Sequence, residues 1–198
     1  MRRGIIIGLA GLLILIFALI MLRGGPGAEP GPKLADFFPL TQGSSWDYLG
    51  EGNEFAALTR EVLFTQGNRA QIREDTGGTV SALIFEVTED VVRRIYNQPE
   101  FYDRVSLLDQ PANDNTIILQ RPLEVGNRWG SPVEREIVAT NASVETPAGR
   151  FENCIKIQLT FENSILFEYY RQGVGLVKRE FIAGDDRITS TLKTYQIK

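Results

Sequence analysis

The sequence predicts an all-β domain, a single antiparallel meander, preceded by one N-terminal transmembrane helix. Three observations predict it. The first 22 residues hold 17 hydrophobic side chains and no acid. From Leu34 onward the apolar runs are short, and turn residues interrupt them roughly every 8–12 positions. No segment beyond Leu34 shows a convincing helical stripe of apolar residues, although 99–115 is ambiguous between a short helix and a loop.

The N-terminal element comes first. Gly4 to Leu22 are 19 consecutive uncharged positions, 16 of them apolar and three Gly. A helix of that length spans about 28 Å, close to the roughly 30 Å hydrocarbon core of a bilayer. Arg2 and Arg3 precede it, so the N-terminus is expected to stay inside and the rest of the chain to be exported. Two outcomes follow from the run. An uncleaved signal-anchor fits its length and its direct passage into Arg23. Signal cleavage and secretion is the alternative, with Gly25-Pro26-Gly27 a poor small-residue site. No Cys follows the run, which excludes a lipoprotein anchor. We therefore divide the chain into a span (1–23), a tether (24–36) and a β domain (37–198). The tether begins GGPGAEPGPK, with four Gly and three Pro in ten positions, and is read as stiff and extended.

Composition then removes function classes. The overall 43% hydrophobic content averages a bilayer span with an ordinary aqueous domain. The chain has no His and one Cys, which excludes His-based triads, an intrachain disulfide framework and Cys-cluster zinc sites. Residues 28–198 carry 18 Lys and Arg against 25 Asp and Glu. No basic cluster is present to track phosphates, so no nucleic-acid partner is expected. No cofactor and no metal are expected either.

The strand-like segments lie near 54–65, 69–75, 79–88, 91–97, 134–145, 151–161, 164–171, 175–183 and 187–197. They are rich in Val, Ile, Thr, Phe and Tyr. In the sixth, Ile155, Ile157, Leu159 and Phe161 take one face, and Lys156, Gln158 and Thr160 the other. Pro147 and Gly149 fit a type I turn leading into a Gly bulge, which makes 134–145 and 151–161 a hairpin.

One internal echo stands out. Pro39 to Trp46 and Pro122 to Trp129 share PLxxGxxW, 83 residues apart. Pro fixes φ, Gly permits a tight bend, and Trp anchors the following strand. Two strand-starting anchors are the plain reading; two related β-halves are the bolder one.

These two motifs, with Thr146-Pro147-Ala148-Gly149-Arg150-Phe151 and the stretch Glu168 to Lys178 (EYYRQGVGLVK), resemble a group of bacterial extracytoplasmic β-rich domains of unknown function, sometimes labelled TapB-like. The resemblance covers about 37–180. It implies a strongly curved antiparallel sheet or half-barrel, and it brings no activity and no catalytic residues. The chain departs from the lipoprotein members in having no anchoring Cys.

Candidate chemistry is sparse. Cys154 lacks a His to activate it and is expected to be a shielded structural residue. Asn113-Asp114-Asn115 and Asp185-Asp186 offer oxygen ligands but read as polar turns. Glu51, Glu54, Glu134, Glu136 and Glu168 are possible members of a catalytic carboxylate pair, with no spacing to select two of them. Trp46, Tyr48, Trp129, Phe167, Tyr169 and Tyr170 are the candidate lining of a cavity for a lipid or other apolar ligand. Gly173 and Gly175 are expected at a bend or bulge between two strands. No catalytic residue is assigned. The expected protein binds, without catalysis, an apolar ligand or an envelope partner from the outer side of the cytoplasmic membrane. A purely structural interaction module is the alternative, and a carboxylate hydrolase a distant third.

Overall fold

The computed structural model describes residues 31–198. The span expected at 4–22 and most of the tether lie outside the described residues. Among the described residues no helix is long and apolar enough to cross a membrane.

A four-residue helix, α1 (Leu34–Phe37), leads into twelve strands: β1 (Ser45–Glu51), β2 (Leu58–Gln66), β3 (Arg69–Asp75), β4 (Val80–Val87), β5 (Val91–Gln98), β6 (Thr116–Gln120), β7 (Arg128–Trp129), β8 (Glu134–Thr146), β9 (Gly149–Thr160), β10 (Ile165–Arg171), β11 (Gly175–Ala183) and β12 (Asp186–Gln196). All nine expected segments are strands. The expectation lacked β1, β6 and β7. Leu34 and Phe37 are buried, so the packed domain begins ahead of residue 37.

All ladders are antiparallel and form one sheet, in the order β6-β5-β4-β3-β2-β1-β12-β11-β10-β9-β8-β7. The half-barrel implied by the resemblance is therefore an underestimate, because the sheet curls into a nearly closed barrel. Each PLxxGxxW motif leads into six consecutive strands, and a shift of six strands carries β1–β6 onto β7–β12. The two Gly of the motifs, Gly43 and Gly126, have φ of +84° and +90°, the bend the motif requires. The first and last strands close the chain on itself, Trp46 opposite Tyr195 and Glu51 opposite Thr189.

The remaining seam lies between β6 and β7. No ladder joins them, but side chains cross it. Trp129 Nε1 donates to Ile117 O at 3.2 Å, and Asn127 Nδ2 to Gln120 O at 3.0 Å. These bonds occupy edge carbonyls that would otherwise invite pairing.

Two flaps cover the outside of the barrel. The ambiguous stretch 99–115 contains no helix. It crosses the outer face of β3–β5 as an irregular loop that packs Leu108 against Ile84 and Ile95. Gln71 pins it, donating to Val105 O at 3.0 Å and accepting from Leu107 N at 2.7 Å. The other flap is the β8–β9 hairpin. Its register shifts repeatedly between Ile137 and Val144, which bends its tip back toward β12, where Ala148 N donates to Leu192 O. The hairpin turns at Pro147-Ala148 as expected, with Gly149 at φ +125°. Ile155, Ile157 and Leu159 are buried as the alternation predicts, but Phe161 lies past the end of β9 and is exposed.

The first motif clamps the turn between β10 and β11. Trp46 Nε1 donates to Val174 O at 2.7 Å, and Tyr48 OH to Leu176 O at 2.9 Å. Gly175 sits at φ +93°, and a Cβ there would stand 3.3 Å from Pro39 Cδ. Glycine therefore allows the turn to seat against Pro39 and Trp46. Trp46→Phe keeps the ring but leaves Val174 O without its buried donor. Urea denaturation should show a stability loss of about 1–3 kcal/mol with the slope m unchanged.

Candidate functional site

Strand alternation aims every second side chain into the barrel. In several strands the inward stripe is apolar except for one charge. Leu58, Arg60 and Val62 share a face of β2, Ile72 and Glu74 a face of β3, and Leu166, Glu168 and Tyr170 a face of β10. Arg135 and Ile137 are both buried on β8. Register then matches opposite signs. Arg60 lies directly across from Glu74, and Arg179 of β11 across from Glu168.

These charges line a lumen of about 250 Å³. Arg60 donates from Nε to Glu74 at 2.6 Å, and its Nη2 stands 2.5 Å from the same oxygen. Glu168 Oε2 accepts from Arg135 Nη1 at 2.9 Å and from Tyr170 OH at 3.0 Å. Arg179 Nε stands 3.4 Å from Glu168 Oε1. Arg94 reaches Asp114 at 2.5 Å. Apolar side chains, among them Leu83, Phe85 and Leu166, fill the rest of the wall.

Both lumen glutamates are held ionised. Burial raises the Glu168 carboxyl, but Arg135 and Arg179, with hydrogen bonds from Arg135 and Tyr170, outweigh it and hold it below the usual carboxylate range. Glu74 is likewise raised by burial and lowered further by Arg60 and Arg179. Burial, then the Glu168 charge, pushes the Tyr170 hydroxyl well above its ordinary value, so it remains a donor. A carboxyl poised as a general acid would need the opposite shift.

A second hollow, about 420 Å³, lies outside at the β6–β7 seam. Ile117, Pro132, Val133 and Phe161 are among its walls. Arg135 and Leu159 line both this cleft and the lumen, so the two hollows share a wall.

The six aromatic candidates do not converge on one cavity. Tyr170 alone lines the lumen. Trp46 and Tyr48 meet a void of about 20 Å³ beside Phe38 and Leu176. Trp129 is buried at the seam. Phe167 and Tyr169 lie on the outer face of β10, where Lys156 Nζ sits 3.8 Å from the Phe167 ring centroid. The hydroxyl of Tyr169 meets Glu180 at 3.4 Å.

Of the five acids weighed for catalysis, Glu168 alone reaches the lumen. Glu134 and Glu136 pair with Arg128. Glu51 accepts from Thr189, and Glu54 is exposed. Asp114 forms the polar turn expected, its Oδ1 accepting from Asn115 N and Thr116 N. The lumen residues that sequence reasoning missed are Arg60, Glu74, Arg94, Arg135 and Arg179. The available signal was a charge embedded in an apolar period-two stripe.

Cys154, on the β9 strand of the β8–β9 flap, is fully buried, and burial pushes its thiol up to about 11. It is shielded, as expected. Maleimide at pH 8 should modify the folded chain about 100-fold more slowly than the urea-unfolded chain, reporting on flap opening.

The lumen pairs also fix an acid response. Their folded carboxyl pKa values lie below the unfolded value of about 4.3, so their contribution is complete above that pH. It fades as the pH falls through 4 and below. Urea midpoints between pH 6 and pH 3 should therefore drop steeply. Glu168→Gln, which removes the charge that Arg135 donates to, should be less stable at pH 6 yet lose less on acidification.

No protein-family model matches the chain, and no curated protein matches it. Two solved structures have a similar outline. A candidate lipoprotein from Parabacteroides distasonis is 14% identical, with TM-score 0.48 over 84% of this chain and 100% of its own. A candidate exported protein with YmcC-like fold from Bacteroides fragilis is also 14% identical, with TM-score 0.48 over 80% of this chain and 97% of its own.

Proposed function

We propose that this chain is a non-enzymatic binding protein of the cell envelope. Residues 4–22 hold it in the cytoplasmic membrane, and the barrel outside takes a small ligand into its lumen through the β6–β7 seam. The observation that carries the binding reading is the pair of hollows with a shared wall at Arg135 and Leu159. The uncharged run of 19 residues behind two arginines supports the anchor. Ionised, arginine-paired glutamates support binding over hydrolysis, because a glycosidase-like pair needs one carboxyl kept protonated near neutrality. An envelope protein docking by strand addition is favoured less. β6 has five residues and β7 two, and the carbonyls of Ile117 and Gln120 already accept side-chain donors.

Two measurements test this. Native mass spectrometry of the full chain in detergent should show a bound small molecule. Leu159→Trp, which crowds the shared wall, should lose it while the barrel still unfolds cooperatively. A chain that is always empty overturns the binding reading. Fractionation should leave the intact chain in the membrane, its C-terminal domain cut by protease added to spheroplasts. A soluble product starting near Ala28 would replace anchoring with secretion.

A further inference from the structure

The lumen charges do not balance. Four guanidiniums face it, those of Arg60, Arg94, Arg135 and Arg179. Three carboxylates answer them, those of Glu74, Asp114 and Glu168. Arg60 is taken by Glu74 and Arg94 by Asp114. Glu168 must serve two arginines. Its Oε2 is already used by Arg135 and by Tyr170. Arg179 has only the 3.4 Å approach to Oε1, and its buried Nε makes no hydrogen bond among the described residues. The side chain still presents 27% of its surface, and it lines the lumen.

One positive charge is thus left over inside a barrel, where a charge without a partner is costly. A guanidinium offers a planar fork of donors whose geometry matches a carboxylate or a phosphate. The size of the excess favours a monoanion such as a carboxylate, since one surplus charge is neutralised by one negative charge and overcompensated by a phosphate dianion. The walls say what the rest of the ligand is. Leu83, Phe85, Ile118 and Leu166 surround the charges, and Ile117 and Phe161 flank the cleft outside.

We propose that Arg179, with Arg135 beside it, forms an anion position in the lumen that takes the carboxylate of a monoanionic organic acid with an apolar body. This rests on the binding reading above and names the ligand class for that same cavity. The acid enters at the seam, places its carboxylate against Arg179 and leaves its hydrocarbon against the lumen and cleft walls. A free short-chain acid and a lipid-derived long-chain acid share this chemistry, and chain length separates them.

The test is thermal unfolding of the full chain in detergent with octanoate, palmitate, octanol or inorganic phosphate. Octanoate or palmitate should raise Tm, and octanol should not. Whichever acid acts at the lower concentration identifies the source. Arg179→Met should fold and be at least as stable as the parent without ligand, because it removes an unanswered charge and leaves Glu168 with Arg135 and Tyr170. Its affinity for the acid should fall about 10-fold or more. Equal stabilisation by octanol and octanoate overturns the anion position but leaves the binding reading standing. Equal stabilisation by phosphate and octanoate overturns the organic acid in favour of a free inorganic anion. Undiminished octanoate binding by Arg179→Met overturns the role of Arg179. No response to any of the four, in a chain that also purifies empty, overturns both.

Discussion

The fold depends on the pairing of its first strand with its last. β1 and β12 lie at opposite ends of the chain, yet their ladder joins two six-stranded meanders into one sheet. Without it there would be two separate curved sheets, each with two open edges. The contact forms across the 134 residues between Glu51 and Asp186, so it carries the largest loop-closure cost in the described domain. Buried side-chain bonds reinforce it. Trp46 and Tyr48, both in β1, reach over β12 to the backbone of Val174 and Leu176. Asp36 O accepts from Gly173 N at 2.6 Å on the same turn. Helix α1, β1 and the β10–β11 turn are thereby fixed as one unit, and the rest of the barrel extends from it in both directions.

The sequence echo gains a physical meaning in this frame. Both tryptophans follow a left-handed Gly, both are buried, and both spend their indole N–H on a backbone carbonyl, Trp46 on the β10–β11 turn and Trp129 on β6. Their tasks differ with position. Trp46 works at the centre of the sheet, where a ladder already exists. Trp129 works at the seam, where none does, and its single bond stands in for one. That substitution explains how the barrel can be nearly closed and still leave a cleft of about 420 Å³ beside it.

Strand alternation and turn chemistry made most of the fold legible. Nine segments with Val, Ile, Thr or aromatic runs between Gly, Asn and Asp turns are nine of the twelve strands. β7 has two residues and could not announce itself, and β6 follows a long irregular segment that masked it. β1 carried a readable sign, Trp46 and Tyr48 two residues apart and both inward, but Gly50 and a single apolar pair weakened the pattern. The site was far less legible. A charged residue on a strand is ordinarily outward, and Arg60 or Arg135 looks ordinary until its apolar neighbours two positions away are noticed. Their partners follow only from register, which depends on bulges such as those at Val62/Phe64 and Tyr169/Tyr170 that no local pattern specifies. Aromatic residues attracted attention as cavity lining because they are large and apolar. In the barrel those same properties make them anchors, with their polar atoms satisfied by backbone or carboxylate.

The geometry also favours the seam over the end of the barrel as the proposed route into the lumen. The segment after α1 turns inward at Phe38, whose ring stands 4.9 Å from that of Phe85 and 6.3 Å from that of Tyr170. Phe38 lines the lumen, the small void by Trp46 and the broad cleft at that end of the barrel alike, so it is the partition between them. It is 6% exposed and held between the two halves. Moving it would uncover Phe85 and Tyr170 together and loosen α1 from the β10–β11 turn. At the seam, by contrast, Leu159 and Arg135 form the wall, and the neighbouring edges β6 and β7 share no ladder. A rotation of Leu159 breaks no ladder hydrogen bond and leaves the Arg135–Glu168 pair in place. Access by the proposed route would therefore leave the β1–β12 joint, and with it the whole barrel, intact.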